Sequence, residues 1–132
     1  ICMSEDIACL VSPRAYATFA RPYTQRVIDH FGHGQIHTHS LGHHVIPEIS
    51  ELNNLMGIQV AEDPNTKRTF EHIDALLDRC TTVPLTVSCT LAELRSRVAD
   101  LGQRTNIILC PTLEDRGHID EALDLIRSHS CI

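Results

Sequence analysis

Apolar positions along this chain fall into two alternating kinds of stretch. Residues 35–40, 56–61, 83–89 and 106–110 are short apolar runs, the third rich in β-branched side chains, and they predict four strands. Between and around them the apolar residues recur at helical spacing. Tyr16, Phe19, Ala20, Tyr23, Val27 and Phe31 form one such set, and Val45, Ile46, Ile49 and Leu52 the next. Phe70, Ile73, Leu76, Leu77 and Cys80 form a third, Leu91, Leu94, Val98 and Leu101 a fourth, and Ile119, Ala122, Leu123 and Ile126 a fifth. Residues 1–10 carry no clear period and read as a lead-in.

The punctuation agrees with this division. Ser12-Pro13 pairs an N-cap residue with proline at the first helical position. Pro22 lies inside the first helical set and predicts a kink or split there. Gly32 and Gly34 end that helix, Thr90 with Glu93 makes a capping box, and Gly102 stops the helix that follows. Asp63-Pro64 closes the second strand and starts a helix with Asp63 as its cap, while Pro111 ends the fourth strand.

The order is therefore α-βα-βα-βα-βα. Strand, helix, strand at this spacing predicts right-handed crossovers and a parallel sheet, with strands apolar enough to be covered on both faces. No glycine-rich phosphate fingerprint follows any strand, which disfavours a dinucleotide-binding fold. The expected fold class is α/β: half of a TIM-type (β/α)8 barrel, with four parallel strands in one domain over residues 1–132. The chain opens on Ile1 in what reads as mid-protein sequence, so the expectation is a piece of something longer.

Charge and composition narrow the function classes. The net charge is -6 and the eleven basic residues are scattered, which argues against a nucleic-acid surface. No apolar run approaches a membrane span and no signal peptide is recognisable. The six cysteines include no C-x-x-C pair and several lie in apolar runs, as reduced thiols of a cytoplasmic protein would.

Candidate chemistry concentrates at the end of the first predicted strand. His37 and His39 are two apart and share a face, while Ile36, Thr38 and Ser40 take the other. Two imidazoles side by side require partners: a metal, a substrate acid or backbone carbonyls. His43 and His44 open the next helix, where a neutral imidazole can donate to an anionic ligand, a solvated pair being the alternative. Glu62 and Asp63 follow the second strand and are candidate acid–base carboxylates. Arg116, in the polar loop 112–117, is a candidate substrate contact. Cys89 and Cys110, near strand ends, are expected to approach His39. Tyr23 is expected in the core.

Three stretches resemble the uroporphyrinogen decarboxylase family, which includes cobalamin-dependent thiol methyltransferases. Residues 10–16, leading to Arg21-Pro22-Tyr23, are similar to the family's SP-x-x-(F/Y)…PY helix, and residues 36–42 to its H-x-C-G strand end. The order of the remaining strands is similar to the last four of that barrel. The resemblance covers essentially the whole chain and implies the C-terminal half of the barrel, with the family's decarboxylase arginines and catalytic aspartate in an N-terminal half. Its methyltransferase branch implies zinc, held by the His and Cys of H-x-C-G and a later Cys, and a corrinoid protein as methyl donor. With Gly42 aligned to the family glycine, His39 takes the His place and Leu41 that of the Cys; alternatively His37 and His39 fill both ligand positions. Cys110 is the third ligand in either register.

Two readings follow. One is a fragment of a decarboxylase-like or methyl-transferring enzyme acting on a small molecule at the strands' C-terminal ends. The other is a non-catalytic half-barrel that pairs with a second copy or with an N-terminal half through its unpaired sheet edges.

Overall fold

The computed structural model describes residues 1–129; Cys131, one of the six cysteines, lies outside the described residues. Five parallel strands form one sheet in the order β1-β2-β3-β4-β5. They are β1 (Cys2–Ser4), β2 (Gly34–His39), β3 (Leu55–Ala61), β4 (Leu85–Thr90) and β5 (Ile107–Thr112). The sequence predicts four of them. The fifth, β1, is three residues long, too short for any period to show, and exists through pairing: Cys2, Met3 and Ser4 lie against Gln35, Ile36 and His37.

Helices connect the strands: α1 (Pro13–Ala15), α2 (Arg21–Phe31), α3 (Ile46–Ser50), α4 (Ile73–Arg79), α5 (Leu91–Leu101) and α6 (Ile119–His129). A π-helical turn, Tyr16–Ala20, joins α1 to α2. It sits where Pro22, which has no amide hydrogen to continue the ladder, restarts the helix in its first turn. Ser12 accepts from the Ala15 amide, and Thr90 and Glu93 form the expected capping box. Gly32 closes α2 with φ of 87°, a conformation open to glycine. Asp63-Pro64 starts no helix: a 3-10 turn, Thr69–His72, leads into α4 instead. β5 runs through Pro111, which an edge strand tolerates because one side of its ladder is unpaired.

The strands are not covered on both faces. Ile36 and Thr38 on β2, Ile58 and Val60 on β3, and Leu85, Val87 and Cys89 on β4 are buried in the core with Leu77, Leu94 and Leu101 from the helices. The alternate positions, His37, His39, Gln59, Thr86, Ser88 and Cys110, are half-buried or exposed. A consecutive strand order with no reversal puts the crossover helices on one face, so the opposite face stays bare and carries the polar side chains.

Two sequence expectations about the core are corrected. Tyr23 is 66% exposed and Phe19 74%; α2 buries Ile28 instead, and Tyr16 fills the core from the preceding turn. The π-helical turn rotates the apolar stripe Phe19, Tyr23, Val27 and Phe31 out to solvent. Cys89 faces the core rather than the histidines, and burial pushes its thiol up to about 11. It is a neutral thiol at physiological pH.

Candidate metal centre

The bare face becomes chemically specific at the C-terminal end of β2. In register, His37 pairs with Ser4 of β1 and with Gln59 of β3, so Gln59 stands beside it on the same face. The Gln59 Oε1 lies 3.1 Å from His37 Nδ1. His39 is held from the next position along: Asp63 Oδ1, just past the end of β3, lies 2.9 Å from His39 Nδ1. Both acceptors draw the ring proton to Nδ1 and leave Nε2 with its lone pair. The two Nε2 atoms face each other at 3.4 Å.

Converging lone pairs need a proton or a cation between them. The third group at that point is Asp6, in the 3-10 turn Asp6–Leu10 that follows β1. Its Oδ1 lies 3.5 Å from His39 Nε2 and 3.8 Å from His37 Nε2. The ligand atoms of Asp6, His37 and His39 all lie within 4.8 Å of one another. A tetrahedral ion with bonds of about 2.0–2.1 Å separates its ligand atoms by about 3.3–3.4 Å, so the imidazole spacing matches such an ion and the carboxylate closes by a few tenths of an ångström.

Strands β1 and β3 flank β2, and each is followed by Glu-Asp: Glu5-Asp6 and Glu62-Asp63. The two aspartates reach His39 from opposite sides, one at each ring nitrogen. The two glutamates hold backbone or neighbouring hydroxyls. Glu5 accepts from Thr24 and Tyr16, and both Glu62 oxygens accept from the Thr69 amide. Asp63 is locked further. Its Oδ2 accepts from the Leu41 amide at 2.9 Å and the Ser40 hydroxyl at 3.1 Å. The Leu41 amide, then the hydrogen bonds from His39 and Ser40, hold its carboxyl below the usual aspartate range.

Gly42 matters to this arrangement through close approach. A Cβ there would stand 3.2 Å from Thr38 Oγ1 and 3.6 Å from the Cys9 backbone nitrogen, so glycine lets the turn after β2 sit against the turn that carries Asp6.

The other sequence candidates are placed as follows. Cys110 is exposed on β5, three inter-strand spacings from β2 (about 14 Å along a flat sheet), and is not part of the three-residue cluster. Asp6 stands where Cys110 is expected as third ligand. Glu62 and Cys110 line a cavity of about 470 Å³ with Gln59, Arg68 and Ser88, adjoining the cluster through Gln59. Arg68 in that wall is paired with Glu93 and donates to the Ser88 carbonyl. His43 is exposed, sits 2.9 Å from the Ser40 carbonyl through Nδ1, and stacks on His72 at 5.4 Å. Arg116 is exposed in the turn Arg116–His118, beyond β5. Neither belongs to the cluster. Asp6 and Gln59 are the residues that sequence reasoning missed; the Glu-Asp repeated at residues 5–6 and 62–63 was the available signal for Asp6.

The fold and the cluster together define an all-parallel α/β protein with a candidate divalent-cation site at the C-terminal edge of its sheet. No family model, curated protein or solved structure matches the chain.

Proposed function

We propose that this chain is part of a metal-assisted enzyme of the uroporphyrinogen decarboxylase type, with Asp6, His37 and His39 as the protein ligands of a zinc-like divalent ion. The observation that carries the reading is the pair of Nε2 atoms 3.4 Å apart, each on a ring whose Nδ1 is already engaged. Supporting it are the consecutive parallel strand order, as in half a (β/α) barrel, and the position of the cluster at the strands' C-terminal ends.

A bound divalent ion would act as a Lewis acid on a substrate oxygen. The chain's own residues do the rest. Asp63 and Gln59 fix the two rings and their tautomers. The neighbouring cavity receives a small-molecule substrate, and Glu62 presents a carboxylate at its wall as acid or base.

Two nitrogens and one oxygen make a harder donor set than one containing thiolate. That set leaves a divalent ion with net positive charge and suits an oxygen-bearing substrate. It favours the lyase-like branch over corrinoid-dependent methyl transfer to a zinc-bound thiolate.

Calorimetric titration of the chain with zinc chloride tests the site. The expected result is one ion per chain, with affinity reduced at least tenfold in His39→Ala and Asp6→Asn and unchanged in Cys110→Ser. Absence of stoichiometric binding, or loss on Cys110→Ser alone, overturns the reading.

A further inference from the structure

The bare face of the sheet continues the metal cluster as a row of polar side chains. His37 of β2 pairs with Gln59 of β3, and Gln59 with Thr86 of β4. A ligand histidine, a carboxamide and a hydroxyl therefore stand side by side across three strands. Two positions further along β4 is Ser88, beside Cys110 of β5, and two further again Thr90, beside Thr112. Neighbouring strands lie about 4.7–4.9 Å apart, so Thr86 is roughly 10 Å from His37 along the sheet. Gln59, Thr86, Ser88 and Thr112 all line the cavity of about 470 Å³ that adjoins the cluster. Small-molecule sites commonly enclose about 300–1,000 Å³.

The polar groups of this wall are of two kinds. The charged ones are already engaged. Arg68, the one basic residue of the wall among the described residues, directs Nη1 at Glu93 and Nη2 at the Ser88 carbonyl. Both Glu62 oxygens accept from the Thr69 amide. With Glu93 behind Arg68, two carboxylates stand against one guanidinium, so the wall repels an anionic group. The neutral groups are open. Gln59 offers its Oε1 to His37, while its Nε2 has no hydrogen-bond partner among the described residues. Nor have the hydroxyls of Thr86, Ser88 and Thr112, whereas Glu93 takes that of Thr90. Each of these hydroxyls both donates and accepts, as the hydroxyls of a ligand do. Ala61 and the threonine methyl groups lie between them and suit the C–H faces of a hydroxylated carbon chain.

We propose that the cavity binds a polyhydroxylated monocarboxylate, with its carboxylate end at the metal and an uncharged, hydroxyl-bearing chain running over Gln59, Thr86, Ser88 and Thr112. Asp6 is the one anionic ligand of the cluster, which leaves a divalent ion with positive charge for one substrate carboxylate. Gln59 is the joint between the two regions: its Oε1 faces a metal ligand and its Nε2 serves the first oxygens of the chain. The wall beyond it excludes a second carboxylate. This inference rests on the proposed metal-assisted reading, whose substrate class it names.

Calorimetric titration of the zinc-loaded chain with gluconate, glycolate and glucarate tests it. Glycolate carries the same metal-binding end without the hydroxylated chain, and glucarate differs from gluconate by a second carboxylate at the far end. Gluconate is expected to bind at least tenfold more tightly than either. Thr86→Val and Ser88→Ala change little volume at half-buried positions, and circular dichroism unchanged from the parent shows that each folds. Each is expected to weaken gluconate about two- to tenfold, the usual effect of one hydrogen bond, and to leave glycolate unaffected. Equal binding of gluconate and glycolate overturns the inference, as does glucarate binding as tightly as gluconate. So does a preference for gluconate that survives both substitutions. In each of these results the zinc site still stands. Failure of the metal reading is seen separately, as absence of stoichiometric zinc before any acid is added, and removes this inference with it.

Discussion

The Asp63 carboxylate lies 2.9 Å from His39 Nδ1 and takes a second hydrogen bond, from the Leu41 amide, at its other oxygen. One carboxylate thus ties the end of β3 to the turn after β2 and orients the ring whose far nitrogen faces Asp6 and His37. Removing its charge leaves the ligands in place but frees the ring. Asp63→Asn is expected to weaken zinc binding about 10- to 100-fold, the usual cost of losing a carboxylate behind a ligating histidine, while His37 and His39 remain. Competition against a fluorescent chelator measures it.

The same carboxylate predicts an acid limit to stability. Its pKa is lower in the folded chain than in the unfolded one, where an aspartate titrates near about 3.9. Below that value the unfolded state binds the proton more readily than the folded state. The stabilisation from Asp63 is therefore fully present above the unfolded value and is lost as pH falls through the depressed folded value. Urea midpoints measured between neutral and acid pH should fall more steeply for the parent chain than for Asp63→Asn. Parallel profiles would contradict the assignment.

Adjacent positions on α2 give a direct reading of which face is buried. Ile28 has no exposed surface, whereas Val27 is partly exposed on the outward stripe. Ile28→Ala is expected to cost about 2–5 kcal/mol and Val27→Ala about 0.5 kcal/mol or less, by denaturant titration. Equal costs would place the helix in the wrong rotation.

At the start of α5, Thr90 Oγ1 accepts from the Glu93 amide while Glu93 accepts from the Thr90 amide. Glu93 also receives Arg68. Burial alone would raise the Glu93 carboxyl, but Arg68 and Thr90 outweigh it and hold it low. Thr90→Ala is expected to cost about 1 kcal/mol. Glu93→Gln should cost more, because it also leaves the half-buried Arg68 guanidinium without its counter-charge.

The class of fold was legible because its signals are local. Helical spacing, the Ser12-Pro13 start and the Thr90–Glu93 box each act within one or two turns, and each stands where the sequence places it. The face shared by His37 and His39 was legible for the same reason, since strand alternation needs no knowledge of neighbours. What escaped depends on contacts distant in sequence. β1 is three residues made into a strand only by β2, and Asp6 reaches the site only because of that pairing. The outward rotation of Tyr23 follows from a π-helical turn that spacing rules, built on a regular helix, do not contain. Cys110 looked suitable by position at a strand end, but strand order puts β3 and β4 between it and the histidines. The covering of both sheet faces was inferred from apolar runs, whereas burial along β2 and β4 alternates strictly enough to show one face bare.

The most direct measurement is X-ray absorption at the zinc edge of the chain loaded with one equivalent of zinc. The account predicts a first shell of nitrogen and oxygen scatterers at about 2.0–2.1 Å with the outer-shell signature of two imidazoles and no sulfur. A sulfur scatterer at about 2.3 Å, or a shell without imidazole, would contradict it.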